Sequence, residues 1–227
     1  MNTRVTPASA WQLDHLVVGA ASLDQGVAWA RATLGVEPAA GGTHAAMSTH
    51  NRLVAIGSPA FARSYLEIIA IDPQAPPPGR ARWFDLDQPA VQAGLARGPV
   101  LLHWVARCAD MRAACRALAA AGIDRGEVLA AERSSPQGVL RWQISVRADG
   151  QRLFDGALPT LIEWGEMHPA ESLPESGLRL ERLRLGGLPA AVRGWLPKGV
   201  EHDASPAAQP LRATFTTPLG VVELSSS

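Results

Sequence analysis

The chain carries only two cysteines, Cys108 and Cys115. Their spacing gives neither a C-x-x-C pair nor a disulfide framework, and two small buried thiols are the simplest reading. Net charge is also missing: Lys plus Arg and Asp plus Glu both number 21, so no broad field draws the protein to nucleic acid or an anionic membrane. No apolar run approaches the roughly 20 residues that span a bilayer, and the opening MNTRVTPASA has no apolar signal-peptide core. The expected setting is the cytoplasm and the expected partner a small molecule. G-x-S-x-G and G-x-x-x-x-G-K-[ST] are absent as well, so serine hydrolases and P-loop NTPases lack their local signals.

What is present is a repeat. With 227 residues, 47% of them hydrophobic and 19% charged, the chain can bury a core as one domain or as two closely packed modules. An apolar run from Leu13 to Val18 precedes Ser22, which with Gln25 predicts a capping box. Leu23, Val27, Ala30 and Leu34 then follow helical spacing up to Gly35, a C-terminal cap. Strand-like stretches GGTHAAMS, STHNRLVAIG and SYLEIIAI complete a β-α-β-β-β order. The plan recurs in VLLHWVARCADMRAACRALAAAGID, with Asp110 as N-cap and Gly122 as C-cap, followed by EVLAAERS, GVLRWQISV and PTLIEWGE. A Pro-rich stretch connects the two. The tail from Leu178 predicts a strand, a short helix, a polar loop and a hairpin. The expected boundaries are 11–74, a connector 75–98, 99–170, and an extension 171–227.

Each repeat places polar residues in apolar strands. His15 shares a strand face with Leu13 and Val17, and His103 with Leu101 and Val105. Glu67 and Glu163 sit between apolar neighbours in the last strand of each repeat. A carboxylate buried there without a partner costs several kcal/mol, so each is expected to meet a cation, a donor or water. Two histidines and two glutamates converging from four strands would suit a divalent ion of zinc, iron, nickel, cobalt or manganese. Such an ion could polarise two adjacent substrate oxygens while a glutamate moved a proton.

On these residues, LDHLVV with YLEII and LLHWV with LIEW, the chain resembles the vicinal oxygen chelate superfamily, in particular its glyoxalase-like proteins related to glyoxalase and bleomycin-resistance proteins. The resemblance covers about residues 11 to 170 and implies an α+β fold: tandem βαβββ modules forming a curved mixed half-barrel sheet, here with a C-terminal βαββ extension. It further implies that His15, Glu67, His103 and Glu163 hold a divalent metal, with Glu163 or Glu67 moving the proton.

For substrate contacts the candidates are His44, Asn51, Arg133, Trp104 and Trp142. His44 and His50 read either as a solvated turn or as a lip over the site, and the two tryptophans either as packing or as an aromatic wall. His168 is expected to fix the exit of the last strand. Three functions follow: a metal-dependent lyase or isomerase on a small α-oxo or hydroxy-carbonyl compound, a metal-independent binding protein, and a ring-cleaving iron dioxygenase, for which the second repeat offers no further histidine. Whether the halves close one site within a chain or exchange across a homodimer stays open at this point.

Overall fold

The structure is a computed structural model describing residues 11–226. Strand β1 (Gln12–Gly19) leads into helix α1 (Leu23–Trp29). Ser22 Oγ accepts the Gln25 N–H at 3.1 Å, and Gln25 Oε1 reaches back to accept the Ala21 N–H at 2.8 Å. The helix widens into a π turn over Ala30–Leu34 and stops at Gly35, whose φ of 68° is open to glycine without a Cβ penalty. Strands β2 (Ala39–His44), β3 (Thr49–Ala55) and β4 (Tyr65–Ile71) follow. After helix α2 (Pro89–Arg97) the second unit repeats the order: β5 (Val100–Arg107), α3 (Met111–Ala120), β6 (Glu127–Ser135), β7 (Gly138–Val146) and β8 (Thr160–Trp164). Asp110 caps α3 by accepting the Ala113 N–H at 2.8 Å, as its position before the apolar stripe predicts.

All eight strands form one curved sheet in the order β2-β3-β4-β1-β5-β8-β7-β6. In each half the first strand pairs parallel with the last, β1 with β4 and β5 with β8, and β1 lies antiparallel to β5 where the halves meet. The edge strands β2 and β6 approach each other across the open side. The sheet therefore has an outer face, where Leu16, Leu66, Trp104, Leu118 and Leu161 are buried, and an inner one holding Val17, Ile69, Val105, Ile144 and Ile162. Each such side chain contributes about 1.5–3 kcal/mol on full burial.

The extension contains β9 (Arg179–Gly186), α4 (Ala190–Arg193), β10 (Val200–Asp203), β11 (Leu211–Thr217) and β12 (Gly220–Ser225) in a second sheet ordered β10-β9-β11-β12. Strand β10 lies in the stretch expected to be a polar loop. Its residues VEHD bury only Val200, so no hydrophobic alternation announces it. Phe215, Leu183 and Leu185 of this sheet join the outer core.

The connector is more structured than its proline content suggests. Before α2 it makes a turn in which Phe84 and Asp85 are left-handed, with φ of 60° and 59°. A similar stretch before β8 repeats this at Phe154 and Asp155, with φ of 53° and 52°. Such residues cost about 1–3 kcal/mol each and persist only when their surroundings hold them. Here Arg152 Nε donates to Asp85 at 2.9 Å and the Asp85 N–H to Gly150 O at 3.1 Å, which pins Trp83 and Phe84 inside the sheet. Gly150 has a φ of 71°, and a Cβ there would lie 1.9 Å from Arg82 O. Gly150→Ala is expected to cost more than about 1 kcal/mol in urea unfolding and to expose Trp83 to fluorescence quenchers.

Candidate active site

Strand register decides which residues share the inner face. Val17 faces Glu67 and His15 faces Tyr65 across the β1–β4 pair, so all four point inward. Across β1–β5, Val17 faces His103 and His15 faces Val105, which adds His103. In β8 the inward residues are those level with Val105 and Arg107, namely Thr160 and Ile162.

His15 is held from behind by a residue that strict alternation would turn away from it. The β1–β5 register passes from Leu13 opposite Ala106 directly to His15 opposite Val105, leaving Asp14 as the extra residue of a bulge. Asp14 is 0% exposed and accepts from His15 Nδ1 at 2.7 Å, His168 Nε2 at 3.0 Å and Trp164 Nε1 at 3.0 Å. Burial works to raise its pKa, but the bonds and charges of His15 and His168 outweigh it and hold the carboxyl well below the usual range. His168 also fixes the chain's exit as expected, its Nδ1 accepting the Ala170 N–H at 3.1 Å in a capping box over the turn at Pro169–Glu171.

With Nδ1 bound to Asp14, His15 presents Nε2 to Glu67 Oε2 at 3.7 Å, too far for a hydrogen bond. Tyr65 stacks on the imidazole, centroids 4.5 Å apart, and its phenol pKa is pushed well up by burial and by the charges of Asp14 and Glu67. Glu67 Oε1 accepts from Asn51 Nδ2 at 2.6 Å. Asn51 in turn accepts the Gly42 N–H at 2.8 Å and lies 3.3 Å from His44 Nε2, while His44 Nδ1 meets Thr49 Oγ1 at 3.0 Å. The glycine pair has a reason: a Cβ on Gly41 would fall 2.0 Å from Asn51 Oδ1, and one on Gly42 would fall 2.1 Å from Arg133 Nη1. Burial, with Arg133 adding to it, lowers the pKa of His44 to about 4 against the pull of Glu67, so His44 is neutral at pH 7. A cavity opens onto His15, Glu67, Asn51, His44 and Arg133, with Trp83, Phe84, Trp142 and Trp164 as its aromatic walls.

Of the sequence candidates, His15, Glu67, His44, Asn51, Arg133 and Trp142 come together here; His103, Glu163 and Trp104 do not. Phe84 packs against His103, ring centroids 5.1 Å apart. Both His103 nitrogens are used, Nδ1 with Gly156 O at 3.1 Å and Nε2 with the Thr160 N–H at 3.0 Å. Glu163 lies between the inward Ile162 and Trp164 and so points outward, where its Oε2 accepts the Met111 N–H at 2.7 Å and helps cap α3. The residue that stands to His103 as Glu67 stands to His15 is Thr160, since Glu67 faces Val17 and Thr160 faces Val105. Trp104 is on the outer face, its Nε1 donating to Ala157 O at 2.8 Å.

The four-ligand metal implied by the resemblance therefore does not fit these residues. Among the described residues, only His15 Nε2 and Glu67 offer free donors to one point, because Asn51 occupies His44. Among the described residues no group of three or more His, Cys, Asp or Glu side chains is arranged to hold a metal ion.

Sequence reading missed Asp14, Tyr65, Phe84, Trp164 and Thr160 at these positions. Asp14 could have been suspected as a charge inside LDHLVV, but its direction depends on a bulge that no spacing reveals. Nothing local marks Phe84 as a plug.

Residues 13–200 match a family model described as a glyoxalase-like domain. No curated protein matches the sequence. Among solved structures, a hypothetical protein from Staphylococcus aureus superposes with a TM-score of 0.52 at 15% identity, over 95% of this chain and 88% of that one. Methylmalonyl-CoA epimerase from Streptomyces coelicolor, in complex with 2-nitronate-propionyl-CoA, gives 0.41 at 21% identity, over 69% and 96%. A methylmalonyl-CoA epimerase in complex with methylmalonyl-CoA gives 0.42 at 22%, over 70% and 99%.

The Asp14 network makes a prediction about acid stability. A carboxyl whose folded pKa lies below its ordinary value of 3.8 contributes fully above that value and loses its contribution as pH falls toward the folded one. Asp14→Asn should cost about 2 kcal/mol at pH 7, and the gap to wild type in urea unfolding should narrow between about pH 5 and pH 2.

Proposed function

The chain belongs to the glyoxalase-like domain family of the vicinal oxygen chelate superfamily, and from that premise we propose that it is a lyase or isomerase acting on a small compound with two adjacent oxygens. The observation that carries this reading is the pairing of His15 Nε2 and Glu67 Oε2 across 3.7 Å without a bond between them, each held from its other side.

In this reading Glu67 takes a proton from the carbon beside a carbonyl group, and the C–H electrons form the carbon–carbon double bond. In this step a His15 protonated on both nitrogens donates from Nε2 to the carbonyl oxygen as it gains charge, while Asp14 accepts from Nδ1 and orients the ring, as the carboxylate of a catalytic triad does. For isomerisation Glu67 returns its proton to the neighbouring carbon while His15 recovers a proton from the hydroxyl there. Arg133, which lines the cavity, would hold an acidic group of the substrate in this reading. The tryptophan walls exclude water. No step is assigned to a metal.

A second reading, a protein that binds and sequesters a small molecule, draws on those same walls: Trp83, Trp142 and Trp164 line one cavity. Turnover separates the two. Against a panel of small α-oxo and hydroxy-carbonyl acids, wild type is expected to catalyse exchange of the carbon-bound hydrogen with solvent deuterium. Glu67→Gln should lower this by about 10²-fold or more while tryptophan quenching by the same compound persists. Quenching without exchange in wild type would favour sequestration.

Chelation decides the cofactor. With only two free donors at the site, exchange should survive prolonged treatment with EDTA. Activity lost there and restored by zinc, nickel, manganese or iron(II) would instead put an ion between His15 and Glu67 and overturn the route through side chains alone.

A further inference from the structure

Behind Phe84, on the far side from His15, a second, narrow cavity is lined by His103, Arg125, Ser145, Arg147, Arg152 and Thr160. Arg125 is 4% exposed. Its Nη2 donates to Thr160 Oγ1 at 2.6 Å, but its Nε and Nη1 are buried without any hydrogen-bond partner. A guanidinium cannot shed its proton at ordinary pH, so these donors need an acceptor and the charge needs a counterion.

Among the described residues no side chain supplies either. Asp85 is taken by Arg152 at 2.9 Å, and Asp149 by Arg147 at 2.6 Å. Asp124 lies 3.5 Å from Arg147 and is mostly in solvent. His103 cannot compensate, since an imidazole is never an anion and both its ring nitrogens are already bonded. Of the three guanidiniums lining the cavity, two have carboxylates and Arg125 has none within ion-pair distance among the described residues. Ser145 Oγ accepts the Leu161 N–H at 3.0 Å, which leaves its own hydrogen to donate.

We propose that this cavity is a binding site for a small monovalent anion, a halide or a short carboxylate such as formate, held by Arg125 Nε and Nη1 with the Ser145 hydroxyl. The one guanidinium without a carboxylate partner of its own matches one negative charge, and the narrow cavity favours a compact ion over a bulky one. The site occupies the half of the sheet where His103 and Thr160 mirror His15 and Glu67, so the second half-site binds an anion while the first keeps its unbonded His15 and Glu67 pair.

The test uses the whole chain at constant ionic strength, replacing sodium gluconate, too large to enter, by sodium chloride or sodium formate. Wild type should show a saturable rise in unfolding midpoint; a site with a dissociation constant of about 1 mM would raise the folding constant about 100-fold at 100 mM anion. Arg125→Met should lose that response. A midpoint unresponsive in wild type, or equally responsive in Arg125→Met, overturns the proposal. Should Arg125→Met fail to fold, wild-type crystals soaked in sodium bromide decide instead. An anomalous peak within hydrogen-bond distance of Arg125 Nε or Nη1 is expected, and water alone there contradicts the proposal.

Discussion

A carboxylate removed wholly from water must be surrounded by donors, and Asp14 meets that demand with three: the imidazoles of His15 and His168 and the indole of Trp164. Those groups come from β1, from the end of β8 and from the turn beyond it. One bulge residue thus ties the exit of the second half to the first strand of the chain. Because the bond from His15 Nδ1 fixes the ring, Nε2 can face only the cavity and Glu67. Asn51 and the glycine pair of β2 do the same for Glu67 from the opposite edge. The free pair at the centre is what remains once Asp14 has taken His15 Nδ1 and Asn51 has taken Glu67 Oε1.

The two halves share a plan and differ in chemistry. Equivalent strand positions carry His15 and Glu67 in one half and His103 and Thr160 in the other. Removing a carboxylate from the second position lets His103 satisfy both nitrogens internally, and Phe84, held left-handed by the docking of its loop, separates the two. A repeat that on symmetry grounds would pool four ligands instead presents two free ones.

Much of the fold was legible. The capping residues Ser22 and Asp110, the stop at Gly35 and the apolar runs around His15 and His103 mark the two units directly, because each expresses a local physical requirement. The site was legible in its first half, where His15, Glu67, His44 and Asn51 all face one cavity. It was misread in the second for a reason of parity: Glu163 lies one residue from the inward Ile162, and one residue in a strand reverses the face. Asp14 shows the converse, since a bulge turned inward a residue that alternation points outward. Phe84 and Arg125 owe their places to long-range docking and leave no local trace.

The most direct test of this arrangement is the protonation pattern of the histidine side chains, read by long-range proton–nitrogen NMR at neutral pH. His15 is expected to keep a proton on Nδ1, in a bond to Asp14 that Asp14→Asn perturbs, and its Nε2 to respond to Glu67→Gln while His103 does not. A His15 that carries its only proton on Nε2, or a His103 that shifts with Glu67, would contradict it.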